Sequence, residues 1–173
     1  ICGSIDAADL VLASKDALPV PIIVHSDAPP RTREAAEVLA GYIEKICGKK
    51  PLVMLGASSP VPDSAIWIGA QPEVKALFPK VSFEFGNPEE TLILADEKHL
   101  VLAGRDRWNP AHMEAKGRLA MKTGIQQEYG TANAVYSFLQ EQLGVRWLWP
   151  GEEDVITRER ITIAPMERRY HPQ

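Results

Sequence analysis

Gly130-Thr-Ala-Asn-Ala-Val-Tyr-Ser-Phe-Leu-Gln-Glu-Gln-Leu-Gly-Val-Arg-Trp-Leu-Trp-Pro-Gly151 puts a helix, its stop signal and an aromatic strand in one short stretch. Ala132, Val135, Leu139 and Leu143 recur at steps of three and four, which makes one apolar stripe on a helix. Gly144 stands where a left-handed C-terminal cap is wanted. Val145 to Trp149 is β-branched and aromatic, and Pro150-Gly151 ends it. The stretch therefore predicts a helix packed on the sheet that its following strand joins. Trp147 and Trp149, two apart on that strand, share a face and are expected in the core or at a domain interface, with Arg146 facing the other way.

Outward from this stretch the same alternation of strands and helices continues. Leu10–Ala13 and Pro21–His25 read as short strands. A turn over Ser26–Pro30 starts a helix from about Thr32 to Cys47, with Leu39, Ile43 and Ile46 inward and Gly48 as its stop. Leu52–Leu55 and Ala65–Ile68 are further strands, and Pro72–Phe78 a short helix stopped by Pro79. Thr91–Ala95 and His99–Ala103 alternate around a tight Asp96-Glu97-Lys98 turn. Val155–Thr157 and Arg160–Ile163 close the pattern. Two long helices among strands predict an α+β domain with α/β-type layers: a mixed β-sheet with two main helices packed on one face.

The segment Gly104–Tyr129 breaks the pattern. A connection this long between a strand and a helix is uncommon in a compact domain and is usually functional. It carries Arg105, Arg107, Trp108, Asn109, His112 and Arg118. Arginine offers a bidentate fork to a carboxylate and indole stacks on a sugar face, so these six residues are the candidate carbohydrate or domain-interface site. Docking onto a neighbouring domain is the favoured role, ahead of a solvated helix over Met113–Met121 and a direct ligand site.

Composition narrows the function classes. The chain has 173 residues, 45% apolar and 24% charged, which suits one soluble domain that buries roughly 70% of its unfolded surface. A net charge of −4 gives no electrostatic reason to expect nucleic acid, and no apolar run approaches a membrane span. His25, His99, His112 and His171 lack the spacing of a metal site, and nothing calls for a cofactor. Ser137 sits mid-helix without a nucleophile elbow. Glu152-Glu153-Asp154 reads as a solvated acidic loop and not as a pair flanking a glycosidic bond. Cys47 reads as a small apolar residue on a buried helix stripe in preference to a bridge with Cys2, which would need an exported protein and a first segment beside the end of the helix. The start at Ile1 suggests an excised or processed piece, and Cys2–Ala8 resembles the end of a cleaved leader.

Three pieces of the chain carry a family resemblance. Tyr129–Gly151, Arg33–Lys50 with Pro51-Leu52, and Ala65-Ile66-Trp67-Ile68-Gly69 occur in the order seen in the N-terminal domain of alpha-glucuronidase-like glycoside hydrolases. The chain also resembles the domain that precedes the barrel in beta-hexosaminidases and in related bacterial proteins. The resemblance implies a fold like beta-hexosaminidase domain 2. It implies a non-catalytic N-terminal accessory domain over 1–164, with 165–173 as linker to a downstream catalytic barrel of the same polypeptide. That barrel, which carries the cleaving carboxylates in such proteins, is the expected partner. The alternative is an autonomous carbohydrate-binding module that takes an oligosaccharide through Trp108 and its neighbouring arginines. An exported bacterial location (periplasmic, extracellular or cell-surface) is expected. The long 104–129 insertion departs from the connection expected in alpha-glucuronidases and leaves the sugar open.

Overall fold

The computed structural model describes residues 8–109 and 125–172, with Ile125 described by its backbone alone. In chain order the elements are β1 (Leu10–Ser14), β2 (Ile22–Val24), α1 (Pro30–Cys47), β3 (Val53–Leu55), β4 (Ala65–Ile68), α2 (Pro72–Leu77), β5 (Thr91–Ala95) and β6 (His99–Gly104). They continue with β7 (Asp106–Asn109), β8 (Ile125–Tyr129), α3 (Gly130–Glu141), β9 (Arg146–Trp149), β10 (Glu152–Asp154), β11 (Arg160–Ile163) and β12 (Met166–Tyr170).

A six-stranded mixed sheet of order β12-β5-β6-β4-β2-β3 organises the chain. β3, β2, β4 and β6 run parallel; β5 and β12 are antiparallel to their neighbours. The central strands are apolar on both faces because both faces are covered. Ile22, Val24, Ile66, Ile68, Leu100 and Leu102 face α1 and α3, together with the β1–β11 ribbon. Ile23, Trp67, Val101 and Ala103 face the other way, onto Val74 of α2 and onto Phe83. The two long helices thus share one face, as the sequence predicts.

Local signals fix the helix ends. Pro30 begins α1 with a ring already at helical φ, and Gly48 ends it at φ 83°, its N–H returning to Glu44 O at 2.7 Å. α3 stops at Gln142, after which Gly144 takes φ 73° and the Val145 N–H reaches back to Leu139 O at 3.0 Å. The Asp96 side chain closes the β5–β6 turn by accepting the N–H groups of Lys98 and His99 at 2.8 and 2.7 Å.

Several expectations need correction. The stretch after α3 does not join the main sheet: β9 pairs with β10 as a separate ribbon. Trp149 is accordingly 73% exposed, whereas Trp147, 39% exposed, packs in T-shaped contacts with Tyr42 and Tyr136, each with its ring centroid 5.8 Å away. Glu152–Asp154 is a strand rather than a free loop, and Glu153 is held by Tyr42 Oη and Lys45 Nζ of α1; Val155–Thr157, expected as a strand, is not one. The last segment is no linker, since Met166–Tyr170 pairs with β5 residue for residue along the sheet edge. At the base of the long 104–129 connection, β7 and β8 form an antiparallel ribbon. Cys2, His112, Arg118 and the helix expected over Met113–Met121 lie outside the described residues. Cys47 is buried, and its thiol donates to Glu159 O at 3.4 Å.

Candidate functional site

A cleft of about 420 Å³ opens at the carboxyl ends of β2, β4 and β6. His25 follows β2, Gly69 follows β4 and Gly104 ends β6, while Pro29, Thr32 and Thr131 bring in the starts of α1 and α3. Ligands of open α/β sheets gather at this edge because the chain turns there and leaves a crevice between loops. Asp27, Lys75, Phe83, Phe85, Arg105, Asp106 and Trp108 complete the walls.

The β7–β8 ribbon stands over this edge because two glycines let it. A Cβ on Gly104 would lie 2.3 Å from the Gly130 carbonyl carbon, and one on Gly130 would lie 2.4 Å from Arg105 N. Only hydrogen fits between these backbones. Arg105 then donates its N–H to Glu90 O at 2.8 Å and accepts the Gly130 N–H at 2.9 Å. Asp106 and Trp108, two apart on β7, both reach the cleft. A shift of register between Arg107 and Trp108 bends the ribbon there.

Asp106 is the pivot. Its Oδ1 accepts the backbone N–H of Thr131 at 3.0 Å, and its Oδ2 accepts the Thr32 hydroxyl at 3.1 Å. One carboxyl group therefore joins the first turns of α1 and α3, neither of which has a side-chain cap of its own. Burial pushes its pKa up, the bonds to Thr131 and Thr32 oppose that, and the nearby Glu89 charge adds to the rise. Glu89, at φ 54°, accepts the Tyr129 N–H at 3.0 Å and the Asn133 amide at 2.7 Å. Two carboxylates already fill the amino end of α3.

Two of the three arginines singled out in sequence, Arg105 and Arg107, converge on one acid. Arg105 Nε lies 2.9 Å from Glu128 Oε2 and Arg107 Nε 3.4 Å from Oε1, with the Glu128 side chain 8% exposed. The Arg105 contact is electrostatic only: Oε2 receives no aligned hydrogen bond. Arg105 Nη1 donates to Gly86 O at 2.7 Å. Trp108 and Asn109 follow on the same strand, and Trp108 shares the cleft with Arg105, whereas Arg107 does not line it.

His25, Asp27 and Lys75 were not signalled by any motif. Each lies just past a strand or on a short helix, so only the strand order shows that they meet. The His25 Nδ1 accepts the Asp27 N–H at 2.9 Å, which leaves the ring proton on Nε2. No group of three metal-ligating side chains occurs among the described residues.

No protein-family model matches the chain, and no curated protein matches it. Among solved structures the chain is similar to a family GH115 4-O-methyl-alpha-glucuronidase with specificity for decorated arabinogalactans, at a TM-score of 0.62 and 17% identity. The likeness covers 95% of this chain and 18% of that protein, so the chain spans less than a fifth of its length. It shows a shared fold: this α+β arrangement occurs as a small domain within a glycoside hydrolase.

Proposed function

We propose that the chain is a non-catalytic N-terminal accessory domain of a multidomain glycoside hydrolase-like protein, and that it packs on a following catalytic barrel. The observation that carries this reading is the near-complete match of the chain to a small part of a much larger glucuronidase. The surface supports it. Leu148, Trp149 and Ile156 are more than half exposed on and beside the β9–β10 ribbon, apolar area that a neighbouring domain would cover. The insertion offers a second contact through the β7–β8 ribbon. The test is the apparent mass of the native protein in its source cells, by immunoblot against this chain. A band several times 19.1 kDa supports the accessory reading, and a band near that mass overturns it.

A second reading, an autonomous carbohydrate-binding module, draws on one specific observation: Trp108 lines the cleft at the carboxyl edge of the sheet. Saturable binding of an oligosaccharide by the isolated chain supports it. Equally strong binding by a Trp108→Ala variant of unchanged stability counts against it.

A further inference from the structure

We propose that His99 is an acid-sensitive latch: while its ring is neutral it holds α2 on the sheet, and when the ring takes a proton α2 comes away while the rest of the domain stays folded. The latch works at the opposite end of β6 from the cleft, yet it reaches the cleft, because Lys75 of α2 lines one of its walls.

The geometry demands a neutral ring. Ala65 pairs with His99 across β4 and β6, so Trp67, two residues on, stands diagonal to His99 on the same face of the sheet. The Trp67 Nε1–H donates to His99 Nδ1 at 3.2 Å, with Trp67 fully buried and His99 5% exposed. Nδ1 therefore presents a lone pair, and the ring proton sits on Nε2. A second proton would set N–H against N–H, strand the indole donor and place a cation in a nearly dry site. Burial accordingly holds the imidazole below its usual 6.5, with Lys98 adding to that and Asp96 and Asp63 opposing it. Asp96 and Lys98 belong to the β5–β6 turn and Asp63 precedes β4, whereas α2 meets the ring with the uncharged Phe78.

Of the elements around the ring, α2 is the one that yields. The His99 backbone is locked in place, its N–H donating to Asp96 Oδ1 at 2.7 Å and its carbonyl accepting the Asp96 N–H at 3.0 Å, with β4 and β5 on either side of β6. Phe78, at the end of α2, covers the ring edge-on, with centroids 6.5 Å apart and planes at 82°. α2 has six residues, no side-chain cap and one buried side chain, Val74; beside it the Gln71 amide donates to Ile23 O at 3.2 Å. So short a helix, with so little buried, opens locally well before the domain unfolds. The sign follows from the lowered pKa: the stabilisation from the neutral ring is present above 6.5 and is lost as pH falls through the folded value, and opening lets the ring take its proton in water.

The test is an NMR series on the whole 173-residue chain from about pH 7.5 to 5, which stops above the 4.5 where loss of the Glu90 contribution begins. It follows the His99 ring signals and the protection factors of the Lys75 and Phe78 amides, which donate to Gln71 O and Val74 O, against those of Leu39 and Ile43 in α1. Protection at Lys75 and Phe78 should fall at least about fivefold, with the midpoint of the His99 titration, while Leu39 and Ile43 hold. His99→Gln offers Trp67 an amide oxygen and takes no proton, so in that variant α2 protection should stay flat with pH. Flat protection in the parent chain overturns the latch, as does an equal fall in His99→Gln. A fall shared by α1 also overturns it, since that is unfolding of the whole domain. Should His99→Gln fail to fold, the parent chain decides alone: separate midpoints for the His99 ring and the α2 amides overturn the proposal.

Discussion

Gly104 and Gly130 touch backbone to backbone: a Cβ on the first would sit 2.3 Å from the carbonyl carbon of the second. This contact sets where β6 ends and α3 begins, so it also sets the position of the cleft. Either Gly104→Ala or Gly130→Ala must separate a strand from a helix, with a cost of about 3 kcal/mol in urea unfolding. Gly41 is the internal control. It lies inside α1, where an added methyl would meet nothing within 4 Å, so Gly41→Ala should stabilise by about 0.5–1 kcal/mol. Equal effects at Gly41 and Gly104 would remove the close-approach argument.

Asp106 separates shape from charge. Asp106→Ala leaves the Thr131 N–H without its acceptor and should cost about 2 kcal/mol. Asp106→Asn keeps an oxygen for Thr131, and the Thr32 hydroxyl can turn to accept from the amide. At pH 7 it should be as stable as the parent chain or more so. Thermal melts of the three proteins decide this, and an Asn variant as weak as the Ala variant would show that the charge is needed.

The same residue gives a pH signature. Its pKa is raised in the folded chain, so protonation favours folding: that contribution is complete below the unperturbed 3.8 and is lost as pH rises through the folded value. The advantage of Asp106→Asn should therefore shrink on acidification. Glu90 behaves oppositely. The Asn87 N–H and then Arg169 hold its carboxyl below the usual 4.5, so its contribution is present above 4.5 and lost as pH falls through the folded value. Melting temperatures of the parent and of Asp106→Asn from pH 3 to 7, about one unit apart, would expose both senses.

Arg169 fastens the last strand. Its Nη1 donates to Glu90 Oε1 at 2.7 Å, and it also donates to the carbonyls of Ser82 and Glu84. The Glu90 side chain is 5% exposed, so Arg169→Ala strands a buried carboxylate and should cost about 3 kcal/mol. Faster amide exchange at Leu92 and Leu94, the β5 partners of β12, should accompany the loss. Unchanged exchange along β5 would mean that β12 holds without this pair.

Trp149 carries the accessory-domain reading into a measurement. At 73% exposure, Trp149→Ser should alter the stability of the isolated chain by no more than about 0.5 kcal/mol. In a longer polypeptide that carries the proposed barrel, the same change should lower the melting temperature or loosen proteolytic protection between domains. Such a polypeptide indifferent to it would move the docking face away from the β9–β10 ribbon.

Much of the fold was legible because periodicity and punctuation agree. Leu39, Ile43 and Ile46 mark the inner face of α1, and Gly48 its end, at the positions the sequence indicates. Ala65–Ile68 was readable as a buried strand from its apolar run alone. The misreadings occur where pairing partners are distant. Met166–Tyr170 has two arginines and a glutamate among its five residues, a pattern that resembles solvated chain until β5 supplies its hydrogen bonds. Trp147–Trp149 has ideal strand composition, yet sequence cannot tell a ribbon from a sheet strand. The candidate site divides likewise. Arg105 and Trp108 were visible as chemistry-bearing residues in an unusual segment, whereas Glu128 as the shared counter-ion, and His25 and Asp27 as neighbours, required the strand order.

The pairing of β1 with β11, and of β5 with β12, has a consequence for how the molecule is made. The earliest strand waits for one encoded far down the chain, Leu10 meeting Ile163. During synthesis the ribosome thus releases most of the sheet before either partner emerges, and β5 keeps one bare edge throughout. Nascent chains should stay protease-sensitive until the final strand has cleared the exit tunnel, then become resistant in one late step.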